Sequence, residues 1–450
     1  MRRPGRIRIG YLSCDFHEHA TAFLMAEMLE RHDHQRFEIF AYSFSVDNDS
    51  ATRRRVIAAF DHFIQIDAMP HEAAIRKIRE DGIDILVDLK GYTRNARPQI
   101  MAGRPAPLQV NYLGYPGTMG ADCIDYLIAD EFIVPADQQK HFSEKLVYLP
   151  HSYQPNDTRR SISARGFTRS LFGLPENGFV FCSFNGNSKI TPSFFDVWMR
   201  LLKNTPASVL WLLETGSPEN LRREAAARGV ALERIVFAPG LIHSEHLARM
   251  ARAAGLPLLT CAGKAFIGRV AGSLLHSAGL PELVTSSLEE YEATALHLAQ
   301  NPAELRALRE RLAQNRKTAP LFDIARFTRN LETAYQTMWD RWQGGLPPRY
   351  HKRTGKRSHA ANRPCILTGA SGSRAYEGGA GHRARFFLRA RRKLAGRREQ
   401  RSCADACGAG MGVHPGMHQY PRRESLSSKS SALKRMSRIF PRRSSTSDFA

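Results

Sequence analysis

A chain of 450 residues with 42% hydrophobic composition can bury two or three domain cores, and no apolar run approaches the roughly 20 residues that span a bilayer. The formal charge of +22 suggests nucleic acid as a partner, but the last hundred residues hold 23 Lys and Arg against 5 Asp and Glu; the first 350 are left with about +4, ordinary for a soluble enzyme. The basic start runs straight into strand-like Ile7–Leu12, which argues against a secretory signal, and the seven cysteines make no CxxC or zinc-type spacing, so free thiols in a reducing cytoplasm are expected.

From Arg6 to Pro150 short apolar segments alternate with helical ones. Ile7–Leu12, Phe37–Phe44, Ile83–Leu89, Leu108–Leu113, Ile124–Ile128 and Leu146–Leu149 predict strands, and Thr21–Arg31 and His71–Arg79 predict helices. Continuously apolar strands alternating with helices imply a parallel sheet covered on both faces. Residues 1–150 thus form a first Rossmann-like lobe. The polar stretch from His151 makes residues 151–177 a linker.

The alternation resumes at Gly178. Phe179–Phe184, Ser208–Leu213, Ile235–Phe237 and Leu256–Thr260 predict strands. Ser193–Lys203, Pro218–Arg228, Ser244–Ala253, Lys264–Ser277, Pro302–Arg316 and Asp323–Trp342 predict helices, and Ser287 to Glu290 has the capping-box spacing that opens another. Residues 178–346 form a second α/β lobe, and a ligand is expected between the lobes at the carboxyl ends of the strands. Residues 347–450 are rich in Arg, Ser, Gly and Ala without sustained periodicity, and a basic tail of low order is expected.

Four segments could carry chemistry. Asp15 to Thr21 lies between a strand and a helix, where His19 can donate to an anion, move a proton or merely cap the helix. Leu113-Gly114-Tyr115-Pro116-Gly117 frees the backbone to approach a ligand, or is only a turn. Lys189 follows the first strand of the second half, where it can offset a leaving diphosphate or stay a solvated lysine. His246 and Arg249 are three apart on one helical face; an imidazole can stack on a base and an Arg can pair with phosphate, or the segment is an ordinary capped helix. No GxGxxG, Walker lysine or GxSxG motif occurs, and no cluster has metal-ligand spacing.

Several stretches together resemble the O-GlcNAc transferase (SPINDLY-type) family over roughly residues 5–346. They include Arg6 to Phe16, Asp81 to Thr93, Arg104 to Val110, Leu113 to Thr118, Tyr126 to Asp130, Ser143 to His151, Ser208 to Leu213 and Gly268 to Leu275. The resemblance implies a GT-B fold, a UDP-GlcNAc donor and inverting, metal-independent transfer of GlcNAc to Ser or Thr of a protein acceptor, with no further cofactor. It implies that His19 and Thr21 lie beside the donor, that Leu113, Gly114 and Pro116 line its sugar and phosphate side, and that Lys189 neutralises the diphosphate. Gly240, Leu241, His243, His246 and Arg249 would border uridine and phosphate, with His243 where the family has a lysine.

The sequence also departs from that pattern. The family carries tandem helical repeats ahead of its first strand, and this sequence starts at the strand. About one βα unit of the donor lobe is missing near residues 253–255, where the strand–helix alternation also skips a step. A catalytically impaired remnant of the family therefore stays open as a reading. So does a basic tail that binds nucleic acid or a membrane surface.

Overall fold

The computed structural model describes residues 5–250 and 257–352. The first half runs β1 (Ile7–Ser13), α1 (Ala20–Glu30), β2 (Phe37–Ser43), α2 (Ala51–Ala58), β3 (His62–Gln65), α3 (His71–Glu80), β4 (Ile85–Asp88), α4 (Pro98–Ala102), β5 (Leu108–Asn111), β6 (Tyr126–Ala129) and β7 (Lys145–Tyr148). The second runs β8 (Val180–Ser183), α5 (Pro192–Asn204), β9 (Val209–Leu213), α6 (Pro218–Ala227), β10 (Ile235–Ala238), α7 (His243–Arg249), β11 (Thr260–Cys261), α8 (Val270–Ser277), β12 (Val284–Thr285), α9 (Leu288–Gln300), α10 (Pro302–Asn315), α11 (Ile324–Gln343) and β13 (His351–Lys352).

The first sheet is parallel throughout, in the order β13-β7-β6-β5-β4-β1-β2-β3. Alternation along each strand divides its side chains between two cores. Ile7, Ile9 and Tyr11 face α1 and α11, whereas Leu12 faces α3 and α4 with Leu86 and Tyr42. Read from β3, the order is 3-2-1-4-5-6-7, a doubly wound sheet whose direction switches between β1 and β4. Ligands of such sheets bind outside the carboxyl ends of the strands at that switch point.

Three elements of the first half, α2, β3 and the five-residue α4, have no counterpart among the sequence expectations. α2 carries Arg53-Arg54-Arg55 and only two buried residues, so it has little apolar periodicity. β3 is an edge strand with no buried residue. The strand expected to reach Leu113 stops at Asn111, because Leu113 adopts φ +66°.

In the second half β10, β9 and β8 form one parallel sheet, and β11 and β12 a separate parallel pair. Among the described residues no strand pairs with the outer edge of β8. A doubly wound sheet would carry its fourth strand there. The end of the helix expected over Ser244–Ala253, the start of the strand expected from Leu256 and the gap near 253–255 all involve residues 251–256, outside the described residues. The helix expected from Lys264 begins instead as a 3-10 turn at Phe266–Arg269 before α8. Ser287 caps α9 as expected, its Oγ accepting from the Glu290 amide at 3.1 Å.

α11 follows the second half in sequence but packs on the first. Its Leu331, Ala334, Tyr335 and Met338 are fully buried in the core of the first sheet. Glu332 accepts from the Asp33 amide at 2.7 Å and bonds His32 Nδ1 at 3.0 Å, while the Tyr11 and Tyr335 hydroxyls meet at 3.3 Å. β13 then adds to β7 at the edge of that sheet, so ordered backbone extends to Lys352, inside the stretch expected to be a low-order tail. The rest of that stretch, from residue 353, lies outside the described residues. No helix among the described residues is long and apolar enough to cross a membrane. The four described cysteines, Cys14, Cys123, Cys182 and Cys261, are unpaired thiols.

Candidate active site

The switch point of the first sheet gathers Asp15 and His19 after β1 and Lys90 after β4. Asp15 is buried and its Oδ2 receives the Lys90 ammonium at 2.7 Å, with both side chains 7% exposed. His19 is the N-cap of α1, and its Nδ1 accepts from the Thr21 amide at 3.2 Å. Burial depresses the His19 pKa, and Lys90 adds to the depression against the pull of Asp15. Asp88, wholly buried at the end of β4, accepts from the amides of Lys90 at 2.8 Å and Gly91 at 3.1 Å. Burial pushes its pKa up to about 6, against those amides and Lys90.

The glycine segment packs against this loop. A Cβ on Gly114 would sit 1.9 Å from the Leu89 carbonyl oxygen, so only glycine fits. Leu113 and Pro116 are half-buried on either side. The segment is pinned by Asn111, whose amide donates to the Gly117 carbonyl at 3.1 Å, and by Glu144, which accepts from Thr118 and the Met119 amide.

In the second half the candidate residues also sit at carboxyl ends of strands. Lys189 is exposed on the turn between β8 and α5, two residues before the capping residue Thr191. Asn187 ties that turn to Thr215, beyond β9. Gly240 is exposed and Leu241 half-buried between β10 and α7. His243 stacks on Phe23 of α1, ring centroids 4.0 Å apart and planes 9° from parallel, which brings the start of α7 against the helix that His19 caps. The ring's Nε2 is buried without a hydrogen-bond partner.

Arg249 differs from its sequence reading as a phosphate partner. It is fully buried, and its guanidinium donates to the Pro239 carbonyl and to His246 Nδ1, both at 2.6 Å. It lies over the Phe184 ring at 4.9 Å. The shared helical face of His246 and Arg249 thus brings them to each other, with the guanidinium turned into the core. Burial lowers the pKa of His243 and of His246, the nearby Arg160 and Arg249 respectively adding to it.

Sequence reasoning missed Lys90 and Asp88, which belong to a different strand from His19. The signal was an Asp-Leu-Lys-Gly run at a strand end, and its partner lay 75 residues away.

The model of glycosyl transferase family 41 matches residues 1–166, 155–253 and 251–331. The chain belongs to glycosyl transferase family 41. The second and third matched segments overlap at residues 251–253. A probable UDP-N-acetylglucosamine–peptide N-acetylglucosaminyltransferase, SEC of Arabidopsis thaliana, is 38% identical over 77% of this chain and 38% of its own length. The UDP-N-acetylglucosamine–peptide N-acetylglucosaminyltransferase of Caenorhabditis elegans is 27% identical over 76% of this chain and 41% of its own. The chain thus spans about two fifths of the length of these family 41 relatives. A mutant O-GlcNAc transferase of Thermobaculum terrenum superposes with a TM-score of 0.69 at 31% identity, covering 76% of this chain and 69% of the other. The two Rossmann-like halves of this family 41 chain form a GT-B fold.

Proposed function

We propose that this chain is the catalytic region of a protein O-GlcNAc transferase, moving GlcNAc from UDP-GlcNAc to Ser or Thr hydroxyls of a protein. The observation that carries the reading is the first-sheet switch point, where His19 caps α1 beside the buried Asp15–Lys90 pair, on a family 41 frame. Inverting transfer needs one displacement at the anomeric carbon and a leaving group whose charge is met. Lys189, just ahead of the positive end of α5, supplies that charge without a metal or further cofactor. His19 and Thr21 border the sugar, Leu113, Gly114 and Pro116 its phosphate side, and Gly240, Leu241, His243 and His246 the uridine. Arg249 holds His246 and the loop from Pro239 rather than the phosphate itself. Unpaired thiols agree with a cytoplasmic setting. The test is calorimetric titration of UDP into the full chain. Binding that falls about tenfold or more in Lys189→Ala and His246→Ala supports the reading; equal affinity in both variants refutes the assignment of this half to the donor.

A second reading has its own observation. Among the described residues the strand arrangement stops at the outer edge of β8 and restarts as a separate pair, which fits a donor half that has lost a βα unit and its phosphate-facing amides. On this reading the chain is a catalytically impaired member of the family. It predicts no transfer from UDP-GlcNAc to a mixed protein acceptor pool, read by intact-protein mass spectrometry. Robust transfer removes it.

A further inference from the structure

The geometry points to Lys90 as a positioning residue that keeps Asp15 from claiming the Nδ1 edge of His19, so that the imidazole caps α1 through Nδ1 and carries its proton on Nε2. Two groups compete for that edge. The Thr21 amide, a donor, lies 3.2 Å from Nδ1 and requires a lone pair there. Asp15 Oδ2, an acceptor, lies 3.5 Å from the same atom and would require a proton there. Lys90 tips the balance toward the cap, because its ammonium neutralises Oδ2 at the shorter distance of 2.7 Å and so weakens its pull on a ring proton, while the Cys14 thiol donates to Oδ1 at 3.3 Å.

The lysine has little freedom to do otherwise. Asp88 fixes the Lys90 and Gly91 amides from below, and Gly114 lies against the Leu89 carbonyl from the side. The charged and titratable groups that face His19 are Asp15 and His17 on its own loop and Lys90 from the β4 loop. With Asp15 satisfied, the neutral imidazole has one tautomer compatible with its cap. The proton then sits on Nε2, which finds no partner among the described residues, on a side chain 43% exposed. Such a ring is a hydrogen-bond donor toward a ligand oxygen, not a base. This deepens the role given to His19 above and rests on that reading only for which oxygen the donor meets.

Nitrogen-15 spectra of the histidine side chains in the full chain, followed against pH, test it, with His19→Gln identifying the resonance. The expected wild-type ring at neutral pH has a bare Nδ1 and a protonated Nε2. In Lys90→Met, Asp15 is released and the cationic neighbour lost, so protonated His19 at a given pH rises about tenfold. Lys90→Arg restores the wild-type titration, and Asp15→Asn moves it the opposite way. A wild-type ring protonated on Nδ1, or a Lys90→Met protein that is folded by circular dichroism with an unchanged His19 titration, overturns the inference. If Lys90→Met does not fold, the wild-type tautomer and the Asp15→Asn direction still decide. UDP affinity is read separately, so loss of the donor reading and loss of the tautomer appear in different measurements.

Discussion

The two halves are built on one plan and held together differently. In the first, β1 pairs with β2 over seven residues and with β4 on its other side, and helices cover both faces. In the second, three strands and two strands among the described residues stand as separate sheets over smaller cores. Helices span what the strands do not. α5 and α9 share Val197, Leu201 and Ala295 in one cluster with Phe181 and Leu259, and α8 reaches the first half through Ser273, whose hydroxyl donates to the buried Asp130 at 2.6 Å. A parallel sheet with every inner strand paired on both edges fixes its own register. The second half leaves that work to side-chain packing, so unfolding should begin there.

The contrast can be broken most forcefully at Gly114. A Cβ placed 1.9 Å from a backbone carbonyl forces the β4 and β5 loops apart, and Gly114→Ala is expected to cost roughly 4 kcal/mol in the first-half transition during denaturant unfolding. A loss below about 1 kcal/mol would mean that this packing is easily relaxed. Met338→Ala in α11 should cost about 3 kcal/mol by the cavity it opens, and the loss should appear in the first-half transition. Loss in the second-half transition instead would return α11 to the half that precedes it in sequence.

Asp88 gives the comparison a pH dependence. Its carboxyl titrates near 6 when folded and near 3.9 when unfolded. Between those values the folded chain keeps a proton that the unfolded chain has released, so this group's contribution falls as pH rises from about 4 to 6. Asp88→Asn should remove about 2 kcal/mol of that decline, measured as the wild-type minus variant difference in unfolding free energy at pH 4 and pH 7. A constant difference would show that Asp88 does not titrate in this range. The smallest effect is expected at the exposed Arg200–Glu292 pair between α5 and α9. Glu292→Ala should cost about 0.5 kcal/mol, and a loss above about 2 kcal/mol would show that the second half depends on that surface contact.

Much of the fold was legible because buried parallel strands read as short apolar runs; β1, β2, β9 and α5 fall within about two residues of their expected limits. α2 and β3 were not legible, since an arginine-rich helix and an exposed edge strand lack that pattern. β13, formed by His351 and Lys352, has no apolar residue to announce it. The amphipathic face of α11 was visible, but periodicity says that a helix packs and not against what. At the candidate site, the positions of His19, Gly114 and Lys189 at strand ends followed from alternation alone. The Lys90–Asp15 pair did not, because a contact between residues 75 apart leaves no local trace. Nor did the inward turn of Arg249: spacing along a helix gives the face, not whether that face meets solvent.

The return of α11 to the first sheet has a consequence for dividing the polypeptide. Because Leu331, Tyr335 and Met338 complete the core over β1, a fragment ending in the linker would expose that core to water and be prone to aggregate. A synthetic peptide covering residues 320–346, added in trans, would restore the missing wall. In split-protein complementation at residues 151–177 the second piece therefore has to hand α11 to the first before either core is closed.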